Sequence, residues 1–162
     1  MAVRMALSRI FIREMTDMQI IELSEVDGLG RTFPIVIGLP EAFAIERRLN
    51  GIEIPRPQTH DLLASVINQM GGTLTSIVIH DLDDGTYYAN LVIDQDGVEH
   101  AIDSRPSDAI ALGIASGVPI YVAEEVLESA CADPMLDIDN LGDPTSEFDI
   151  GFDDEEEHED DG

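Results

Sequence analysis

The sequence predicts an α+β fold. It reads as a mainly antiparallel sheet with three to four helices, followed by a disordered acidic C-terminal tail. Three observations carry this reading. Strand-like segments are separated by Gly and Asp-Gly turn signals. Other segments switch to a helical period and begin or end on Pro and Gly. From Asp133 the composition turns to acids punctuated by Pro and Gly.

"VRMALSRIFIRE" and "MQIIELSEVDG" suit strands, and the turn-like Thr16-Asp17 parts them. "RTFPIVIG" alternates Phe33, Ile35 and Ile37 on one face. Pro34 donates no ladder hydrogen bond, so this strand belongs at an edge or bulge. Gly28 and Gly30 mark the hairpin before it, and the three strands form a meander.

"LPEAFAIERRLNG" places Ala42, Ile45 and Leu49 on one helical face and stops at Gly51. "RPQTHDLLASVINQMGG" is a second helix, with Leu62, Leu63, Val66, Ile67 and Met70 as the expected buried stripe. "TLTSIVIHDLDDG", "TYYANLVIDQDG" and "VEHAIDS" form a second strand set, joined at Asp84-Gly85 and Asp96-Gly97. The third helix runs from about Pro106 to Ser116 and closes at Gly117. Ala109, Ala111, Gly113 and Ala115 make it slim, which suits close packing on the sheet or on a partner chain. "VPIYV" is a short strand and "AEEVLESA" a short last helix. The boundaries are a domain over 1–132 and a disordered acidic tail over 133–162.

The net charge is −26, and fourteen of the 34 acids lie from Asp133 onward. All eight cationic residues are arginines. Such a surface repels phosphate backbones and anionic membranes, so a phosphate ligand needs a local arginine cluster, a divalent ion, or both. The lone Cys131 excludes an intrachain disulfide. Arg4, Arg9 and Arg13 interrupt the apolar residues of the N-terminal stretch, which argues against a signal core or a membrane span and for a cytoplasmic protein.

Two helices start alike, at Arg56-Pro57-Gln58-Thr59-His60-Asp61 and at Arg105-Pro106-Ser107-Asp108. Proline suits the first helical turn and holds the preceding residue extended. Each arginine thus stands just outside a helix N-terminus, where free N–H groups favour anions. Arg56, Arg105, Thr59 and Ser107 are therefore candidate phosphate ligands. The plainer readings are that Thr59 or Ser107 caps its helix, and that the arginines pair with Asp61, Asp103 or Asp108 in structural salt bridges.

If the two helix starts converge, Asp61, Asp103 and Asp108 share a pocket with His60. Three carboxylates suit Mg²⁺ or Mn²⁺, which polarise a phosphodiester and activate water. His60 would be a base or a ligand. His80 reads as a surface or edge residue, His100 as a cross-strand residue and His158 as solvated. No phosphate loop and no nucleophile elbow is present.

The block "RPQTHDLLASVINQMGGTLTSIVIHDLDDGTYYANLVI", together with "IDSRPSDAIALGIASGVPIYVAEEVLE" and the upstream "FPIVIGLPEAFAI", closely resembles the bifunctional nuclease (BFN) domain family. The resemblance spans about residues 1–130. It implies an α+β domain that self-associates, a dimer being favoured, and nuclease activity on DNA and RNA. The signature positions matched are Arg56, Thr59, His60 and Asp61 in one block, Asp103, Arg105, Ser107 and Asp108 in the other, and Glu41 upstream. The acidic tail lies outside the pattern.

Two functional readings follow. The first is a divalent-metal-dependent nuclease, with His60, Asp61, Asp103 and Asp108 catalytic. The second is a non-catalytic self-associating interaction or regulatory module, in which the same residues form a salt-bridge network fixing fold and subunit contacts.

Overall fold

The computed structural model describes residues 1–13, 15–132 and the backbone of 146–149. β1 (Ala2–Ile12), β2 (Met18–Glu25) and β3 (Thr32–Gly38) form the expected antiparallel meander. α1 (Leu39–Leu49) and α2 (Thr59–Gln69) follow. β4 (Gly72–Asp83), β5 (Thr86–Gln95) and β6 (Val98–Ser104) are the second antiparallel set. α3 (Pro106–Ser116), β7 (Ile120–Ala123) and α4 (Glu124–Cys131) complete the domain.

The strand order is β3-β2-β1-β7-β4-β5-β6. β7 joins the two strand sets, antiparallel to β1 and parallel to β4. β3, which carries Pro34, lies at one end of this order, as its missing N–H requires. The sheet curls enough to stack Phe33 of β3 on Tyr87 of β5, with ring centroids 5.6 Å apart. Asp84-Gly85 and Asp96-Gly97 have φ of 49° and 78°, and of 53° and 80°, the positive-φ pairs that tight hairpins demand.

One core cluster unites the sheet with the helices, and Ile10, Ile21, Ile77, Ile79, Ile110 and Leu127 are fully buried in it. Each such side chain contributes ~1.5–3 kcal/mol by leaving water. α3 is the central helix: Pro106, Ser107, Ala109, Ile110, Ala111, Leu112 and Gly113 are all buried. A Cβ on Gly113 would lie 2.4 Å from Ile77 Cδ1, so the small residues serve packing onto β4. That contact seats the C-terminal half of α3 on β4, and the buried Pro106 and Ser107 carry the packing to its start.

Two expectations need revision. None of the α2 residues is buried, and Leu62, Leu63, Val66 and Met70 are exposed. Their helical period is real, but only Ala64 and Ile67 turn toward the core, and no other element of the described chain covers the rest. Within the stretch read as a disordered tail, β8 (Ser146–Asp149) pairs antiparallel with Arg9–Ile12 of β1. The rest of 133–162, including His158, lies outside the described residues. Among the described residues no helix is long and apolar enough to cross a membrane.

Candidate active site

Three helices begin around one groove. α1, α2 and α3 each carry an acid as their third residue: Glu41, Asp61 and Asp108. A carboxylate there favours the positive end of the helix dipole. The residues differ in what else their carboxylates hold.

His60 Nε2 lies 2.9 Å from Asp108 Oδ1. Asp108 Oδ2 accepts a 2.8 Å hydrogen bond from Arg105 Nε. Arg105 Nη1 donates to Glu41 Oε1 at 3.0 Å. The starts of α1, α2 and α3 are thereby tied into one network, and the two Arg-Pro helix starts do converge. The network borders a groove of about 940 Å³. Its polar wall includes Glu41, Thr59, His60, Asp103, Arg105 and Asp108. Three carboxylates there face one guanidinium and one imidazole, so the groove is net negative.

Burial raises the Asp108 carboxyl, but hydrogen bonds from Arg105 and His60 outweigh it and hold the group below the usual aspartate range. Asp108 and then Glu41 push the Arg105 guanidinium above its usual value, so it stays cationic. Arg105 itself is 64% exposed, accessible to a ligand in the groove. Asp103, on the edge strand β6, is exposed and forms no ion pair among the described residues.

The remaining predicted residues sit elsewhere. Asp61 does not line the groove. Its carboxylate takes Arg47 Nη2 at 2.8 Å, Arg48 Nη2 at 2.9 Å and the Gln58 N–H at 2.9 Å. Burial raises this carboxyl, and Gln58 with the two arginines brings it below its usual value. Arg48 is only 5% exposed, and burial lowers its guanidinium. Asp61 thus joins the start of α2 to the last turn of α1. Arg56 is exposed on the loop before α2, outside the groove lining.

The N-caps of α2 and α3 are Gln58 and Arg105, so neither Thr59 nor Ser107 holds the capping position. Thr59 borders the groove, whereas Ser107 is buried beside a smaller cavity with Arg105 and Pro106. The expected grouping of Asp61, Asp103 and Asp108 is not formed, because Asp61 is taken up by Arg47 and Arg48. Among the described residues no group of three or more His, Cys, Asp or Glu is arranged to hold a metal ion. His80 is exposed, and His100 pairs across the strands with Ile93.

Gly38 was not among the residues read from the sequence as functional. A Cβ there would lie 2.2 Å from Glu41 Oε2. Its φ of −77° is open to any residue, so the only thing a side chain here would meet is the mobile end of Glu41, which would have to move aside. The bare N-cap lets Glu41 fold back over it while the other carboxylate oxygen reaches Arg105. The readable signal is a glycine three residues before a first-turn Glu, in "GLPE".

Residues 21–134 match the family model for the bifunctional nuclease domain. The chain belongs to the bifunctional nuclease domain family. The matched stretch contains every member of the network, while the preceding β1 pairs with β2 and β7 from outside it. An uncharacterized protein of Mycobacterium tuberculosis is 44% identical over 108 residues, which are 67% of this chain and 63% of that protein. Bifunctional nuclease 1 of Oryza sativa subsp. japonica is 26% identical over 118 residues, 71% of this chain and 36% of that protein. Bifunctional nuclease 2 of Arabidopsis thaliana is 26% identical over 123 residues, 74% of this chain and 36% of that protein. This family member therefore spans less than two thirds of the mycobacterial relative and about a third of the plant proteins.

Proposed function

We propose that this chain is a nuclease that hydrolyses phosphodiester bonds of DNA and RNA in the groove between α1, α2 and α3. The observation that carries the reading is the His60–Asp108–Arg105 chain of contacts at the groove wall. Membership of the family and the name shared by the plant relatives support it.

Donation from His60 Nε2 to Asp108 leaves Nδ1 as the basic ring nitrogen. That nitrogen takes a proton from the attacking water, and Asp108 orients the ring and stabilises the imidazolium. Arg105 meets the charge that builds on the phosphate oxygens. Glu41 holds the guanidinium plane from the other side.

The residues as placed do not fit a preformed three-carboxylate ion site. The net negative groove still needs added positive charge when a phosphodiester enters. Mg²⁺ or Mn²⁺ binds through one or two carboxylates plus substrate phosphate, and the unpaired Asp103 is the carboxylate open to it. Such an ion would supply charge balance; the proton steps above belong to the chain's own residues. The protein's place in this reading is cytoplasmic, acting without a membrane.

The test is cleavage of labelled single-stranded DNA and RNA by the purified full chain, with and without added Mg²⁺ or Mn²⁺. Activity that copurifies with the protein and falls in His60→Ala supports the reading. A specific observation also favours the non-catalytic module: the network ties three helix starts together as a structural clasp would. Under that reading His60→Ala lowers the melting temperature, and no cleavage follows the protein through columns.

A further inference from the structure

We propose that the small cavity beside the start of α3 holds a second phosphate of the bound strand, the one next to the phosphate that is cut. The strand comes from the nuclease reading, on which this step rests; the anion site stands on its own geometry. The cavity measures about 300 Å³ and lies between residues 35–38 of β3, residues 85–87 at the β4–β5 hairpin and residues 105–107. Ser107 is only 6% exposed. Its hydroxyl makes no hydrogen bond among the described residues, and it is not one of the polar atoms sealed from solvent. What remains open of Ser107 therefore faces this cavity. A buried hydroxyl without a partner costs free energy, which a ligand oxygen would offset.

Further donors stand beside it. The N–H groups of Ser107 and Asp108 belong to the first turn of α3, where no helical carbonyl reaches them and no side chain caps them. Arg105 gives Nε to Asp108 and Nη1 to Glu41, and its Nη2 donates to no group among the described residues.

Charge selects the ligand. The catalytic groove carries three carboxylates, but Arg105 is the only charged residue that lines the small cavity. In a chain of net charge −26, an anion here meets a cation and no acid. Asp108, next to Ser107, is committed to His60 and Arg105. A hydroxyl, helix N–H groups and a guanidinium together suit the oxygens of a phosphate. Arg105 lines both depressions, so phosphates in the two are separated by one side chain, which suits neighbouring groups of one strand. A strand laid across Arg105 puts one phosphate before His60 and the next against Ser107.

Calorimetry of the full chain without divalent metal tests this. The probes are inorganic phosphate, a dinucleoside monophosphate, and the same dinucleotide with a phosphate added at its 5′ or its 3′ end. One of the two-phosphate forms should bind about tenfold tighter than the one-phosphate form, the least that a hydrogen bond to a charged group is worth. Ser107→Ala removes a hydroxyl that the fold does not use, and Thr86→Glu adds a carboxylate at an exposed position on the cavity rim. Each should abolish the preference and keep the melting temperature. Wild type that binds the one- and two-phosphate forms equally, or not at all, overturns the proposal, as does a preference that survives both substitutions. Inorganic phosphate bound as tightly as the two-phosphate form would make this a free-anion site and overturn the strand subsite. Binding is read without cleavage, so a chain that keeps the preference yet cuts no substrate overturns the nuclease reading alone.

Discussion

His60 Nε2 and Asp108 Oδ1 lie 2.9 Å apart although 48 residues separate them in the chain. The contact joins the starts of two helices that share an Arg-Pro opening. It exists because α3 is packed tightly onto β4 through Gly113, while α2 lies alongside α3 with its own start held to α1 by Asp61. The groove is thus assembled by packing on one side and by ion pairs on the other.

Asp108→Asn keeps the size of the side chain and removes its charge. It should lower kcat by about 10²-fold or more, within the ~10²–10⁴ that a positioned base contributes. The pH–rate profile should also move, because the imidazolium loses its carboxylate. Steady-state cleavage across pH checks this. A profile that keeps its shape would assign Asp108 to structure alone.

Asp61→Asn should act on stability and not primarily on chemistry. It strips the carboxylate from Arg47 and from the nearly buried Arg48. Roughly 2–3 kcal/mol is expected, less than the ~3–5 of a fully buried pair, because Asp61 is 26% exposed. The sign with pH follows from its lowered pKa. The fold binds this proton more weakly than the unfolded chain, so the stabilisation is present above the unfolded value of about 3.9 and lost as pH falls through the lower folded value. Urea unfolding of wild type and variant should differ at pH 7 and converge in acid.

Gly38→Ala should disturb the groove with little backbone strain, since φ there is −77°. The added Cβ meets Glu41 Oε2, so Glu41 must leave its position and Arg105 loses one of its two carboxylates. The expected result is a raised KM of several-fold, shared by Glu41→Gln, with the pH profile unmoved. An unchanged KM in both variants would show that Glu41 does not position Arg105.

Chelation should leave the fold intact. The described residues hold no three-ligand cluster, so EDTA should not shift the melting temperature. Calorimetry with and without EDTA measures this directly. A drop of several degrees would reveal a structural ion.

The fold was largely legible in the sequence, because its signals are local. Asp84-Gly85 and Asp96-Gly97 specify their hairpins through positive φ, and Pro106 and Gly117 bracket α3 as read. Convergence of the two Arg-Pro starts was also legible as an expectation, from their shared chemistry. What escaped depends on contacts distant in sequence. Period alone could not say that the Leu62, Leu63, Val66 and Met70 face of α2 lacks a cover among the described residues. Asp61 carries the same pattern as Asp108, and only tertiary placement of Arg47 and Arg48 diverts it from the groove. Gly38 reads as an ordinary break before a helix until the position of Glu41 is known.

The most direct measurement is single-turnover cleavage of labelled single-stranded DNA and RNA by wild type and by His60→Ala, both shown to be folded. The account predicts cleavage by wild type and a loss of about 10²-fold or more in the variant. Equal rates in the two proteins, or no cleavage by the pure wild-type chain with or without Mg²⁺ or Mn²⁺, would contradict it.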